Sequence, residues 1–369
     1  MRIVIAAGGT GGHLYPAVAL AQEFLRQAPN TSLLFVGTSR GIERKVLSHE
    51  GFELETIEAQ PVMGGGLSKA LAGLRALPAA IRQAVTLLRR RQAELVIGIG
   101  GYTSPPVVMA AWGLRIPRVI LEPNAFPGAA NRVVGPLANL VFLAFDSTAE
   151  YFRRTKVRVV GTPIRRSFFE DQGTRREARG EREERAPKCK TLLIFGGSQG
   201  ARAINQVVVE ALPHLGTFEP PLAIIHQTGE ADHAGIKQAY QAAGVQAEVV
   251  PFLFDMPAVL RSADLVVSRA GAVSVAELTA CGKPAILIPL PHAIYAHQLR
   301  NAEVLEAAGA AVLLPQDKLT GAALAETVGR ALRDEHKLRD MGARSRSLGR
   351  LDAAERIVQE CRALVRNAD

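Results

Sequence analysis

Short runs of aliphatic and β-branched residues recur along this chain, separated by longer stretches whose apolar positions return every three or four residues. The runs predict strands at residues 3–6, 33–36, 95–97, 118–121, 140–142 and 157–160. A second series is predicted at 192–195, 223–225, 247–250, 265–267, 285–288 and 311–314. Stretches such as YPAVALAQEFLRQ and AINQVVVEALPHL lie between them with helical spacing. Strands without polar alternation, each followed by a helix, predict parallel sheets covered on both faces. The segment RRSFFEDQGTRREARGEREERAPKCK breaks the pattern, being dense in charge and poor in apolar residues. It reads as a surface excursion near a domain boundary. The expected architecture is therefore α/β, with two doubly wound, Rossmann-like domains over 1–162 and 163–369 facing a cleft. The last helical pattern, LDAAERIVQECRALVR, has no strand after it and fits against either domain.

The size agrees: 369 residues with 48% hydrophobic content exceed what one core usually holds. The net charge of +9 favours anionic partners, namely nucleic acid, acidic lipid or phosphorylated substrates. Aromatic residues are only 5%, which leaves few stacking platforms, and no nucleic-acid motif is present, so nucleic acid is not expected. Cys189, Cys281 and Cys361 are far apart and odd in number, which suggests neither a disulfide framework nor a zinc site and fits a reducing cytoplasm. The N-terminal apolar run is too short for a signal peptide, and no apolar stretch reaches a membrane span.

Three glycine-rich turns each follow a predicted strand: GGTGGH at 8–13, GIGGYTS at 98–104 and GGSQGAR at 196–202. Such turns let backbone N–H groups and a helix start approach a phosphate, although any one of them also serves as a tight connection. The dinucleotide fingerprint is broken by Leu14 at its third glycine position, and Gly37-Thr38 stands where a ribose-binding acid belongs. A Walker loop is absent, since Gly282-Lys283 runs into Pro284. A nucleotide or sugar nucleotide held without a dinucleotide motif remains.

The stretch SRAGAVSVAEL puts Ala272, Val273 and Ser274 at a helix start and Glu277 about a turn further on. Glu277 suits the two hydroxyls of a ribose, or it completes a Ser274-x-x-Glu277 capping box. Gln298 and Asn301 share a helix face and offer amides to sugar hydroxyls, or they are ordinary helix polarity. No Asp-x-Asp pair occurs, so a diphosphate would be met by N–H groups, a helix end and an arginine, with Arg165 in VVGTPIRR the candidate. No metal site is expected. His13 stands at a helix start, where imidazolium is disfavoured; it suits a neutral general base or a turn cap. Glu122 and Asn124, in LEPNAFPG, end another strand and are candidates for the same opening, with Glu122 a second catalytic candidate beside His13.

Taken in order, GGTGGHLYPAVALA, GIGGYTSPP, EPNAFPG, VGTPIR, GGSQGARAIN, RAGAVSVAEL and PHAIYAHQLRNA resemble the MurG family over nearly the whole chain. The resemblance implies a GT-B fold and transfer of N-acetylglucosamine from UDP-N-acetylglucosamine to the muramyl C4 hydroxyl of lipid I, giving lipid II. It implies inversion at the anomeric centre and no bound metal or cofactor. It places Thr10, Gly11 and Gly12 near the donor sugar and diphosphate, Asn124 on the sugar, Arg165 and Ser198 on the diphosphate, and the Leu253 backbone on uracil. Ala272, Val273, Ser274, Val275, Ala276 and Glu277 fall on the donor turn, with Glu277 on the ribose and Gln298 on the sugar. Two departures are visible: Pro123 replaces a residue with an N–H in the Glu122–Asn124 motif, and Ile294-Tyr295-Ala296 is more apolar than usual.

A lipid-anchored acceptor also implies a membrane face. Residues 62–91 contain Lys69, Arg75, Arg82, Arg89, Arg90 and Arg91 with no acidic residue. As a helix, Leu67, Leu71, Leu74, Ile81, Val85 and Leu88 share one side and Arg75, Arg82 and Arg89 flank it. That pattern fits a peripheral helix on anionic lipid at the cytoplasmic face of the inner membrane, or a helix packed on its own sheet. The competing functions are a UDP-N-acetylglucosamine 2-epimerase and a non-catalytic sugar-nucleotide-binding membrane protein.

Overall fold

The computed structural model describes residues 1–8, 11–38, 43–60, 66–169, 189–197, 199–291 and 296–367, with the side chains of 66–72 and 74 outside that description. Its compact units are Met1–Arg165 with Arg350–Asp369, and Arg166–Gly349.

In the first unit, β1 (Arg2–Ala7), β2 (Ser32–Gly37), β3 (Glu53–Thr56), β4 (Leu95–Gly100), β5 (Arg118–Glu122), β6 (Leu140–Leu143) and β7 (Val157–Val159) form one sheet. The order is β3-β2-β1-β4-β5-β6-β7, and every pair is parallel. Helices α1 (Gly11–Gln27), α2 (Glu43–Glu50), α3 (Gly66–Arg90), α4 (Ser104–Gly113) and α5 (Ala129–Val134) connect the strands. Leu14, Val18 and Phe24 of α1 bury one face of the sheet. Ala84, Leu87 and Leu88 of α3 with Val107, Val108 and Ala111 of α4 bury the other. That double cover is why β1, β4 and β5 read as unbroken apolar runs. The chain returns at its end: in the last helix, Ala353–Arg366, Ile357, Val358 and Cys361 join the α1 core.

In the second unit, β8 (Thr191–Phe195), β9 (Ala223–Gln227), β10 (Ala247–Val250), β11 (Leu265–Ser268), β12 (Ala285–Leu287) and β13 (Ala311–Leu313) run parallel in the order β10-β9-β8-β11-β12-β13. The helices are α6 (Arg202–Leu215), α7 (His233–Ala242), α8 (Met256–Ser262), α9 (Ala272–Cys281), α10 (His297–Ala307), α11 (Gly321–Arg333) and α12 (Glu335–Leu348), and the returning helix of the first unit is α13. Ile204, Val208 and Leu212 of α6 and Leu324 and Val328 of α11 close one core.

Each predicted strand is present, and β3 is an addition. Its sequence, Glu-Leu-Glu-Thr, is too polar to predict, because β3 is an edge strand with neither end of its run buried. Its Glu53 and Glu55 pair with Arg91, and Glu55 also with Arg90.

Candidate functional site

Open parallel sheets bind ligands beyond the strand ends where the strand order reverses. In the first unit the reversal lies between β1 and β4, and in the second between β8 and β11. The three glycine turns all leave strands at these two points: residues 8–13 follow β1, 98–104 end β4, and 196–202 follow β8.

In the first unit the turns after β1 and β4 interlock. Gly101 has φ +70°, and a Cβ there would stand 2.0 Å from the Gly8 carbonyl oxygen, so only glycine fits. A Cβ on Gly8 would meet Thr103 Oγ1 at 2.7 Å. His13, half-buried in the first turn of α1, lies over this junction: a Cβ on Gly100 would fall 2.9 Å from its Nε2. Gly11 and Gly12 open α1, which has no acid in its first turn. Thr10 lies outside the described residues.

Beside the junction, Glu122 ends β5 at 1% exposure. Its Oε1 accepts hydrogen bonds from Asn124 N at 3.0 Å and Asn124 Nδ2 at 3.1 Å. Its Oε2 accepts from Gly128 N and Asn131 Nδ2, both at 2.9 Å. Burial pushes the carboxyl upward and these four donors pull it down, with burial the larger effect. Such a carboxylate holds its own loop together, so the expectation of Glu122 as a proton-transfer group gives way to a positioning role. Asn131, which no motif flagged, is 2% exposed and also donates to Leu121 O. Its Oδ1 accepts no hydrogen bond among the described residues.

In the second unit the turn after β8 meets the end of β9. Gly200 has φ +76°, and a Cβ there would sit 1.9 Å from Thr228 O. Gln227 links this turn to the next one: its Nε2 donates to Gly197 O at 2.8 Å, and its Oε1 accepts from Leu253 N at 3.0 Å. Leu253 therefore offers a ligand its carbonyl and not its N–H. Ser198 lies outside the described residues.

Beyond β11, α9 starts at Ala272 with Gly271 as its N-cap, no side-chain cap and no acid in its first turn. Ser274 is thus the third helical residue, and the capping box is not formed. Val273, Ser274 and Ala276 are half-buried, whereas Ala272, Val275 and Glu277 are buried. Leu290 N donates to Gln298 Oε1 at 3.0 Å, which orients that amide and leaves its Nε2 as the donor. Asn301 corrects its expected role as an open sugar contact. It is fully buried, and its Nδ2 donates to Ala270 O at 3.1 Å, supporting the approach to α9.

Arg165 belongs to the first unit. Its Nη1 is 4.0 Å from Glu50, and its guanidinium carbon lies 5.3 Å from the Tyr15 ring centroid. On α3, Ile81, Val85 and Leu88 pack into the core, so this half of the apolar side faces the sheet, as the packing alternative requires. Arg75, Arg82 and Arg89 form an exposed stripe. Arg90 and Arg91 are drawn to β3, and the side chains of Lys69, Leu67, Leu71 and Leu74 lie outside the described residues. Among the described residues no helix is long and apolar enough to cross a membrane. No group of three or more metal-ligating side chains occurs among them.

Comparison with known proteins gives two family matches. The glycosyltransferase family 28 N-terminal domain matches residues 3–143, and the family 28 C-terminal domain matches residues 191–357. A protein of Syntrophus aciditrophicus (strain SB), named UDP-N-acetylglucosamine–N-acetylmuramyl-(pentapeptide) pyrophosphoryl-undecaprenol N-acetylglucosamine transferase, is 45% identical over 366 residues, 99% of each chain. A protein of the same name from Myxococcus xanthus (strain DK1622) is 44% identical, over 98% of this chain and 92% of that one. The crystal structure of Acinetobacter baumannii MurG superposes with a TM-score of 0.77 at 30% identity, over 98% of this chain and 99% of the other.

Proposed function

The chain belongs to glycosyltransferase family 28, and from that membership we propose that it transfers N-acetylglucosamine from UDP-N-acetylglucosamine to the muramyl C4 hydroxyl of lipid I, giving lipid II. What carries this reading is the 45% identity over 366 residues to a relative bearing that name, because both strand-order reversals fall inside the matched stretch.

The second unit takes the donor. The Leu253 carbonyl accepts the uracil N3–H, and Glu277 takes the ribose hydroxyls. The diphosphate lies at the open start of α9, over Ala272–Ala276 in sequence, with Ser198 and Arg165 adding contacts. Gln298 Nε2 donates to a hydroxyl of the sugar, which Thr10, Gly11, Gly12 and Asn124 also approach. The first unit takes the acceptor. The acceptor oxygen attacks the anomeric carbon from the face opposite the diphosphate, so the centre inverts. The bond from that carbon to the β-phosphate oxygen breaks, and UDP leaves with the electron pair. The acceptor proton passes to His13 in the first turn of α1. Glu122 and Asn131 hold the loop that carries Asn124.

The decisive experiment supplies radiolabelled UDP-N-acetylglucosamine and a lipid I analogue in the presence of EDTA. Label passing to the lipid analogue with release of UDP is the expected result. Label recovered as an isomeric sugar nucleotide would establish an epimerase instead, and binding without UDP release a sensor.

For access to a lipid-borne acceptor, the Arg75, Arg82 and Arg89 stripe lies on anionic lipid at the cytoplasmic face of the membrane, with Lys69 adding to it. Each basic group contributes about 1 kcal/mol there. Replacing the three arginines by glutamine should weaken partition into anionic vesicles by roughly 100-fold, and equal binding to neutral vesicles would refute the membrane face.

A further inference from the structure

The second unit buries a guanidinium that has no acid beside it. Arg269 directly follows β11 and is 7% exposed. Its Nη1 donates to two backbone carbonyls, Ile288 O at 3.0 Å and Pro289 O at 3.1 Å. Among the described residues it makes no ion pair, and its Nε and Nη2 groups, which are not sealed from solvent, have no protein acceptor. Buried charges are ordinarily matched by an opposite charge, because carbonyl dipoles offset only part of the lost hydration. Burial accordingly lowers the basicity of this guanidinium, with no carboxylate acting against it.

Its neighbour sharpens the imbalance. Two residues on, Gly271 caps α9 without a side chain, so the first N–H groups of that helix keep their partial positive charge. A buried cation and an open helix start thus follow one another in the chain just beyond β11, at the reversal of strand order, with no acid in the helix's first turn. Two positive features placed together favour an anion between them. The chain supplies none among the described residues.

We propose that Arg269 provides the fixed positive charge against which the donor diphosphate binds and departs, an assignment that rests on the transferase reading above. The charge on the leaving UDP grows as the bond to the anomeric carbon breaks. Arg269 stays protonated throughout and moves no proton. Its benefit is electrostatic and already in place before the reaction begins. Its two carbonyl bonds also fix residues 288–289, which lead toward the segment carrying Gln298. A purely structural pin would act on every ligand of the unit alike, whereas a countercharge acts only on the phosphates.

The test is calorimetric titration of the full chain with UDP and with uridine, in EDTA. Arg269→Gln removes the charge and keeps a polar side chain of shorter reach, so loss of the Ile288 and Pro289 contacts is read from the uridine arm of the titration. We expect UDP affinity to fall tenfold or more while uridine affinity stays within about twofold. Arg269→Lys keeps the charge and should hold the UDP-over-uridine ratio within about threefold. A folded Arg269→Lys that loses the ratio overturns the assignment even if the glutamine variant does not fold. Equal losses for UDP and uridine in Arg269→Gln, or no loss for either, also overturn it and leave the transferase reading standing. A wild-type protein without preference for UDP over uridine would overturn both.

Discussion

Acidification probes the donor unit through one histidine. His226 on β9 is fully buried, and burial pushes its imidazole from 6.5 down to about 4. Asn205 Nδ2 donates to Thr228 O and Asp232 Oδ2, both at 2.8 Å, which leaves Asn205 Oδ1 as an acceptor. His226 Nε2 therefore carries the proton toward Asn205 Oδ1 at 3.2 Å, and Nδ1 accepts from the Tyr240 hydroxyl at 3.2 Å. The unfolded chain takes up a proton near the ordinary value of 6.5, whereas the folded chain waits until about 4. Between those values the unfolded state holds more protons, so stability falls as pH falls. This contribution is whole above the unfolded value and is lost on the way down to the folded one. About 2 kcal/mol disappears between roughly pH 7.5 and pH 5, and about 3 kcal/mol on full titration. Urea unfolding followed by circular dichroism measures it, with His226→Gln as the partner protein. The substitution shifts stability at every pH by disturbing the hydrogen bonds, so the informative quantity is the slope of the difference. Glu122, raised by burial, titrates in the opposite sense in both proteins and cancels in that difference. A difference that stays constant within about 0.5 kcal/mol over this range would refute the reasoning.

Glu122→Gln places an NH2 against two N–H donors whichever way the amide turns. A loss of about 3 kcal/mol in urea is expected, and the acidic limb of the pH–rate profile should keep its midpoint; a displaced or lost limb would restore Glu122 as the base. Gln227→Glu turns a donor to Gly197 O into a repelling oxygen. KM for UDP-N-acetylglucosamine should rise about tenfold with kcat within threefold, and an unchanged KM would break the proposed link between the two turns. His13→Ala should lower kcat by roughly 10²–10⁴ with UDP affinity intact, and near-full turnover with an unchanged pH profile would dismiss it as the base.

The strands that sit inside each sheet were legible because both their faces are covered, so their sequences contain little else than apolar residues. β3 was not, since an edge strand half made of glutamates carries no such run. Those same glutamates engage Arg90 and Arg91, an arrangement across 35 or more residues that local spacing cannot express. Helical spacing grouped Gln298 with Asn301, yet one orients its amide at Leu290 and the other is sealed beneath Ala270. Periodicity gives a face and not the depth of burial. The glycine turns were visible as sites, but Gln227 and Asn131 belong to no motif, and Arg269, although it opens the RAGAVSVAEL stretch, was given no role there. Their signal was weaker: a polar or charged residue within or just beyond an otherwise apolar strand, or on the helix facing its end.

Four helix starts of the second unit, those of α6, α7, α9 and α10, have no side-chain cap, and two of the four, α6 and α9, stand at the reversal of strand order. α8, α11 and α12 are capped by Asp255, Thr320 and Asp334, each accepting from a first-turn N–H. A cap of this kind is worth about 1 kcal/mol, and nothing in the backbone forbids one at α6 or α9. Both of those begin without a side-chain cap, and both begin at the reversal of strand order. The loops leading to them are not loose in compensation. Gly200 is wedged against Thr228, Gln227 ties Gly197 to Leu253, and Asn301 and Arg269 fix the approach to α9 and the strand end beside it. Rigid loops around unsatisfied N–H groups are what a preorganised anion site requires, since the donors then need not reorient as charge develops on the leaving group. The stability forgone at the caps of α6 and α9 is small beside the several kcal/mol that such donors would supply in the transition state of the proposed transfer.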